Sequence, residues 1–127
     1  MLFESETFDK HFEEPASWSD HVFRYCEFSN ISTEGGEIDS VFIDCRIEHC
    51  EWYWGLFNLA LFVNVTFKGC VFRGTGFSAS KFIECAFIDC RFIKDNLNIN
   101  CYFDGNAWYG CAQSNCPGLE HEFHDKR

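Results

Sequence analysis

At 127 residues and 14.9 kDa, with a formal net charge of −10, the chain is sized for one domain with its own core. The charge argues against binding nucleic acid or an anionic membrane. The opening residues, MLFESETFDK, carry charge and no long apolar run, so neither a signal peptide nor a transmembrane helix is expected, and a cytoplasmic location follows. Nine cysteines without a secretory signal are expected as reduced thiols, not as a disulfide framework.

The acidity is uneven along the chain. Residues 1–39 hold ten acids against Lys10 and Arg24, residues 40–103 balance six acids with six bases, and residues 104–127 hold four acids and two bases. Residues 1–20, charged and broken by Pro15, read as an acidic N-terminal capping segment.

From residue 21 a repeat takes over. Stepping by five from Phe42 meets Ile47, Trp52, Phe57, Phe62, Phe67, Phe72, Phe77, Phe82, Phe87, Phe92, Leu97 and Tyr102, all large and apolar or aromatic. Two places before each stands a small or compact residue, among them Ser40, Cys45, Cys50, Gly55, Ala60, Cys70 and Cys90. Five is neither the helical nor the strand period, so a longer unit is repeating. Upstream the pattern runs one frame later (Phe23, Phe28, Ile38), interrupted at SNISTEGGE and reset by a one-residue deletion before Phe42. Downstream one inserted residue moves the frame to Phe103 and Trp108. All nine cysteines occupy the small position of one frame or the other.

A four-sided coil satisfies this pattern. A large residue plugs the interior from the middle of each five-residue side, and a small one fits near the corner. Coils of roughly twenty residues then stack at the strand spacing of about 4.8 Å. Residues twenty apart form columns such as Phe42, Phe62, Phe82 and Tyr102, or Phe57, Phe77 and Leu97. The expected fold is an all-β quadrilateral β-helix of four to five coils over residues 21–110, followed by a polar tail at 111–127.

Stretches such as FIECAFIDCRF and FKGCVF resemble the pentapeptide-repeat family, in its cysteine-rich variety. The resemblance implies a right-handed quadrilateral β-helix. It also brings in relatives that bind type II topoisomerases by imitating the shape and charge of DNA. Those relatives are usually longer dimers with a C-terminal helical element, and nothing after Trp108 reads as an apolar helix. Fold follows from such a resemblance more firmly than function.

The cysteines read as small buried hydrophobes chosen to fit corners. Cys111, Cys116, His121 and His124 are the ligand types of a zinc site, but the cysteine spacing is the repeat period running out. His49 points outward beside an inward Cys50, so the two diverge. With no glycine-rich phosphate loop and no clustered carboxylates, neither an enzyme, a cofactor nor a metal is expected.

The outward positions of the side centred on Phe42, Phe62 and Phe82 differ from the rest. They are Val41, Ile43, Leu61, Val63 and Ile83, with only Lys81 charged; Leu59 sits at the adjoining corner, and Tyr53 and Trp54 near the next. A contiguous apolar outer face implies a protein partner or a homodimer, unless Phe12 and Trp18 fold back over it. The function expected is non-enzymatic protein binding of an inhibitor, immunity or adaptor type, through this face or the acidic N-terminal third. Topoisomerase binding by DNA mimicry is the alternative, and a cysteine redox or zinc protein is the second.

Overall fold

The computed structural model describes residues 1–12 and 18–119, and over these the chain is all-β, without an α-helix. The first coil holds β1 (Leu2–Glu4) and β2 (Thr7–Phe8). The second holds β3 (Val22–Arg24), β4 (Glu27–Ser29), β5 (Ser32–Glu34) and β6 (Glu37–Ile38). The third holds β7 (Val41–Ile43), β8 (Arg46–Glu48), β9 (Glu51–Tyr53) and β10 (Leu56–Asn58). The fourth holds β11 (Leu61–Val63), β12 (Thr66–Lys68), β13 (Val71–Arg73) and β14 (Gly76–Ser78). The fifth holds β15 (Lys81–Ile83), β16 (Ala86–Ile88), β17 (Arg91–Ile93) and β18 (Tyr102–Asp104), and the last has β19 (Ala107–Tyr109) and β20 (Ala112–Ser114).

Each strand pairs in parallel with the strand of the same side in the next coil, giving four sheets that wall a solenoid. The first side runs β1-β3-β7-β11-β15-β19 and the second β2-β4-β8-β12-β16-β20; the third and fourth have four strands each. This is a quadrilateral β-helix with four complete coils and a partial coil at each end.

The five-residue period dictates the cross-section. The middle residue of each strand points inward, and the columns form as the register requires: Phe42 on Phe62 on Phe82, with centroids 4.8 and 4.9 Å apart and rings within 7° of parallel. Phe67 and Phe87 stack at 4.6 Å. Such pairs add roughly 0.5–1.5 kcal/mol each beyond the area they bury. The corner residue two places after each plug turns with positive φ, from Asp44 (55°) through Asn64 (54°) to Asp89 (54°). Asn and Asp accept this backbone region readily. At Gly69 (φ 63°) the His49 ring occupies the space, and a Cβ would lie 2.6 Å from its Nδ1.

The small position has a second job. Its side chain donates to the carbonyl of the plug residue one coil below: Cys70 to Ile47 (3.3 Å), Cys85 to Phe62 (3.4 Å), Cys90 to Phe67 (3.4 Å), Thr75 to Trp52 (3.1 Å) and Ser80 to Phe57 (3.3 Å). A compact side chain with one donor therefore serves at this corner, which is why Cys, Ser and Thr interchange there.

Four features depart from the sequence expectations. First, residues 2–8 are not a separate cap: β1 and β2 pair with β3 and β4, and Phe3 and Phe8 stack on Phe23 (5.3 Å) and Phe28 (5.1 Å). Second, the solenoid runs past residue 110, because β20 pairs with β16. Third, Tyr102 and Leu97 are not plugs. Phe77 pairs with Phe103 and Phe82 with Trp108, so six extra residues, not one, lie between Phe92 and the next plug. A period of five cannot distinguish an insertion of one from an insertion of six.

Fourth, Phe12 and Trp18 do not cover an outer face. Trp18 is 6% exposed and lies among Phe28 (5.1 Å), Trp52 (5.3 Å) and Phe42 (6.1 Å), and Phe12 packs on it at 4.6 Å. The physical reason is Thr33, a small residue on the column of Trp52, where a large plug is due. Trp18 fills that space from the coil before and donates its indole N–H to Thr33 Oγ1 at 2.8 Å.

The one-residue deletion before Phe42 is absorbed at a corner. Asp39 Oδ1 accepts from Asp20 N (2.7 Å) and Ser19 Oγ (2.9 Å), and Ser40 donates to the Trp18 carbonyl at 2.6 Å. At the other end Phe92 N donates to Pro117 O (3.0 Å), and Leu119 is fully buried, so the turn after β20 closes the last coil.

Candidate binding face

The first side is the only six-stranded wall whose outer surface is mostly apolar among the described residues. Its register lines up two outward columns: Leu2, Val22, Val41, Leu61, Lys81 and Ala107, and beside them Glu4, Arg24, Ile43, Val63, Ile83 and Tyr109. Nine of these twelve are apolar or aromatic. Two of the three charges neutralise each other, Arg24 lying 3.3 Å from Glu4, and Lys81 has no acid partner among the described residues. The second side instead presents Glu27, Arg46, Glu48 and Lys68, and the third Glu51, Arg73 and Arg91.

Five of the residues singled out from sequence, Val41, Ile43, Leu61, Val63 and Ile83, lie together on this wall, and Leu59, 70% exposed, is at the corner that leads into it. Tyr53 and Trp54 do not join them. Tyr53 is on the third side, across the solenoid, and Trp54 is at the corner beyond it. Both hold the inserted loop: Trp54 donates its indole N–H to Asp95 Oδ2 (2.6 Å), and Tyr53 Oη accepts from Asn96 N (3.2 Å). They are anchors of residues 94–100, not part of the apolar face.

Four residues of the face are not evident from the period. Leu2 and Val22 fall within or beside the charged N-terminal segment, and Ala107 and Tyr109 are displaced by the hidden insertion. A signal exists for the first pair, since Phe3, Phe8, Trp18 and Phe23 already keep the five-residue step.

The thiols face inward, and their acidities diverge: burial raises most of them, while the hydrogen bond with Cys85 lowers Cys111 to about 7. Eight of the nine line the two corners that flank the second side, as Cys26, Cys45, Cys85 and Cys111 and as Cys50, Cys70, Cys90 and Cys116. Burial pushes Cys45 and Cys50 up to about 11 and raises Cys70 well above its ordinary value. All nine are free. Cys111 and Cys116 belong to different corners and donate to different carbonyls, Phe82 O (3.2 Å) and Phe87 O (3.3 Å), so they do not converge on one ion. His121 and His124 lie outside the described residues. Among the described residues no group of three or more metal-ligating side chains is assembled. There is likewise no helix long and apolar enough to cross a membrane.

Four parallel walls, one large plug per five residues and a small or compact residue two places before it define a pentapeptide-repeat solenoid. No family model and no curated protein matches the chain in sequence. Among solved structures the chain is similar to a trypsin-treated variant of QnrB1, a plasmid-mediated fluoroquinolone resistance protein. The identity is 11%, the match covers 91% of this chain and 73% of that one, and the TM-score is 0.41.

Proposed function

We propose that the protein is a non-enzymatic, cytoplasmic binding module that engages a protein partner through the outer face of its first side. The observation that supports this is the apolar face itself. A contiguous exposed apolar patch marks an interaction surface, and here the inner face of the wall packs on the aromatic core while the outer one carries nine apolar or aromatic residues in register, unlike the charged outer faces of the second and third sides. The described acids of residues 1–39, from Glu4 to Asp39, lie in the first two coils and the corner after them, at one end of the solenoid, where they would steer a partner with a basic rim. An inhibitor, immunity or adaptor role fits such a surface. DNA mimicry asks for acids along the rod, whereas the coils of residues 40–103 are charge-balanced.

The test is affinity capture from host extract with the wild-type chain and Leu61→Glu in parallel. Leu61 is outward, so the variant keeps the core. A partner held by the wild type and lost by the variant supports the proposal. A type II topoisomerase held equally by both moves the binding to the acids and overturns it.

A further inference from the structure

We propose that Cys111 and Cys85 are a redox-active thiol pair: Cys111 takes up the oxidation from solvent, and Cys85 beneath it closes a disulfide that staples the last coil to the fifth. The pair lies in the corner after β19, apart from the apolar face.

The register brings the two residues together. Ala86 pairs with Ala112, so Cys85 and Cys111 are consecutive members of one corner column, and Ala112 N donates to the Cys85 carbonyl at 3.0 Å. Their Cα atoms are then one strand spacing apart, about 4.8 Å, inside the range of roughly 4.4–6.8 Å that disulfides span. Each sulfur takes the same place in its coil, Cys85 Sγ donating to Phe62 O (3.4 Å) and Cys111 Sγ to Phe82 O (3.2 Å), and the two thiols also hydrogen-bond to each other. Both point into the corner, so one must turn for a bond to form. Cys111 has the room, being half-buried on the last strand of its wall.

Exposure singles this pair out. Seven of the thiols are buried, and only Cys101 and Cys111 reach solvent. Cys101 stands over Thr75, whose N–H it accepts at 3.5 Å, and has no thiol beneath it. Cys70 and Cys90 are stacked like Cys85 and Cys111 but are both 0% exposed, and Cys116 above them is 2% exposed. Cys111 alone joins an open sulfur to a second sulfur one coil away. The Cys85 thiol also favours the charged form of Cys111, holding it at about 7, so much of it is the reactive thiolate near neutrality.

Hydrogen peroxide is the oxidant. The Cys111 thiolate attacks one peroxide oxygen, the O–O bond breaks, and the departing hydroxide takes a proton from solvent, leaving a sulfenic acid and water. The Cys85 sulfur then attacks the Cys111 sulfur. An S–S bond forms, the S–O bond breaks, and the hydroxyl leaves with the Cys85 proton as a second water. The two thiols are oxidised and the peroxide is reduced. The disulfide closes residues 86–110, with the inserted loop, onto the fifth coil. In a half-open corner it stays within reach of a small thiol reductant, as suits a transient bond in a reducing compartment.

The test exposes the freshly reduced full chain, under native conditions at neutral pH, to a small molar excess of hydrogen peroxide. Remaining thiols are then blocked with N-ethylmaleimide in denaturant and the products mapped by mass spectrometry. The expected product is a single chain lacking two hydrogens, with Cys85 joined to Cys111 and restored by dithiothreitol. Cys85→Ser places at this corner the residue already used at Ser80, and should accumulate the Cys111 sulfenic acid, trapped by dimedone. Cys111→Ser should lower the disulfide yield at least about tenfold, whereas Cys101→Ser should leave it unchanged. A treated wild type without the Cys85–Cys111 bond overturns the proposal, whether its thiols are untouched, oxidised singly at Cys111 or bridged elsewhere. A Cys111→Ser chain that forms disulfide as fast as the wild type also overturns it.

Discussion

The coils between Val41 and Ile93 and the segment that follows them solve the same packing problem in different ways. In the regular coils every side contributes its own plug and most contribute a corner donor, and the columns are continuous. Between Ile93 and Cys101 the chain adds a loop whose apolar residues are turned out, Leu97 being 68% exposed, and a few polar contacts centred on Asp95 hold it, with Tyr53 bonded to Asn96. Asp95 accepts from Leu97 N (2.8 Å) and Ile99 N (2.9 Å) through Oδ1 and from the Trp54 indole through Oδ2. The ladder resumes at β18 as though nothing had been added. A β-helix thus tolerates an insertion where a corner can be re-closed by polar contacts. It does not tolerate an empty plug position, which at Thr33 is filled from the coil before by Trp18.

The sharpest way to break the comparison is inside a regular column. Phe87→Ala, removing a ring 1% exposed and stacked on Phe67, is expected to cost about 3–5 kcal/mol. A denaturation curve near that of the wild type would mean that the columns do not carry the stability.

Trp18→Ala is expected to cost about 3 kcal/mol, the lower end of the same range. Thr33→Phe in that background should recover part of the loss by supplying the missing plug on the Trp52 column. Purely additive effects in the double-mutant cycle would show that Trp18 does not stand in for residue 33.

At the corners, Gly69→Ala places a Cβ against His49 in a left-handed backbone and is expected to cost about 1–2 kcal/mol. His49→Ala should relieve the clash and leave only the backbone cost, comparable to that already accepted at Ala79, where φ is 51°.

The loop should be the pH-sensitive region. Burial works against the Asp95 charge, but the N–H groups of Ile99, Trp54 and Leu97 outweigh it and hold the carboxyl below the usual carboxylate range. A folded value below the unfolded one stabilises the loop fully above the ordinary Asp value of about 3.9 and loses that effect as pH falls through the folded value. Proteolytic nicking within residues 94–100 by an acid-active protease is expected to accelerate below that pH, and Asp95→Asn should show the same nicking near neutrality. A loop equally resistant in both would remove Asp95 as its anchor.

The smallest effect belongs to the outside. Asn58→Ser loses one exposed hydrogen bond to Glu37 (2.8 Å) and should change stability by less than about 0.5 kcal/mol. A larger loss would mean that the inward and outward positions are exchanged.

Much of this architecture is legible in the amino-acid sequence. Phe42 to Phe92 at intervals of five, with a small or compact residue (Cys, Ser, Thr, Ala, Gly or Val) two places earlier, specify which side chains face in, which turn corners and which strands are neighbours. The physical reason is that every coil faces the same geometric problem, so the solution is written into the chain as a period. The five apolar outward positions on the Phe42–Phe62–Phe82 side follow from the same arithmetic.

Only the tertiary structure decided what the period cannot encode. A count by fives is blind to an added whole repeat, and it is the pairing of Phe103 and Trp108 with Phe77 and Phe82 that moves Leu97 and Tyr102 outside. Trp18 stands in for Thr33 across coils, a contact set by the shape of a void and not by spacing. Tyr53 and Trp54, exposed aromatics by sequence, hold a distant loop because Asp95 and Asn96 fold back onto them. The sequence determined the repeating cross-section because repetition is local. Where the repeat breaks, long-range packing decided, because only three dimensions bring the compensating residues together.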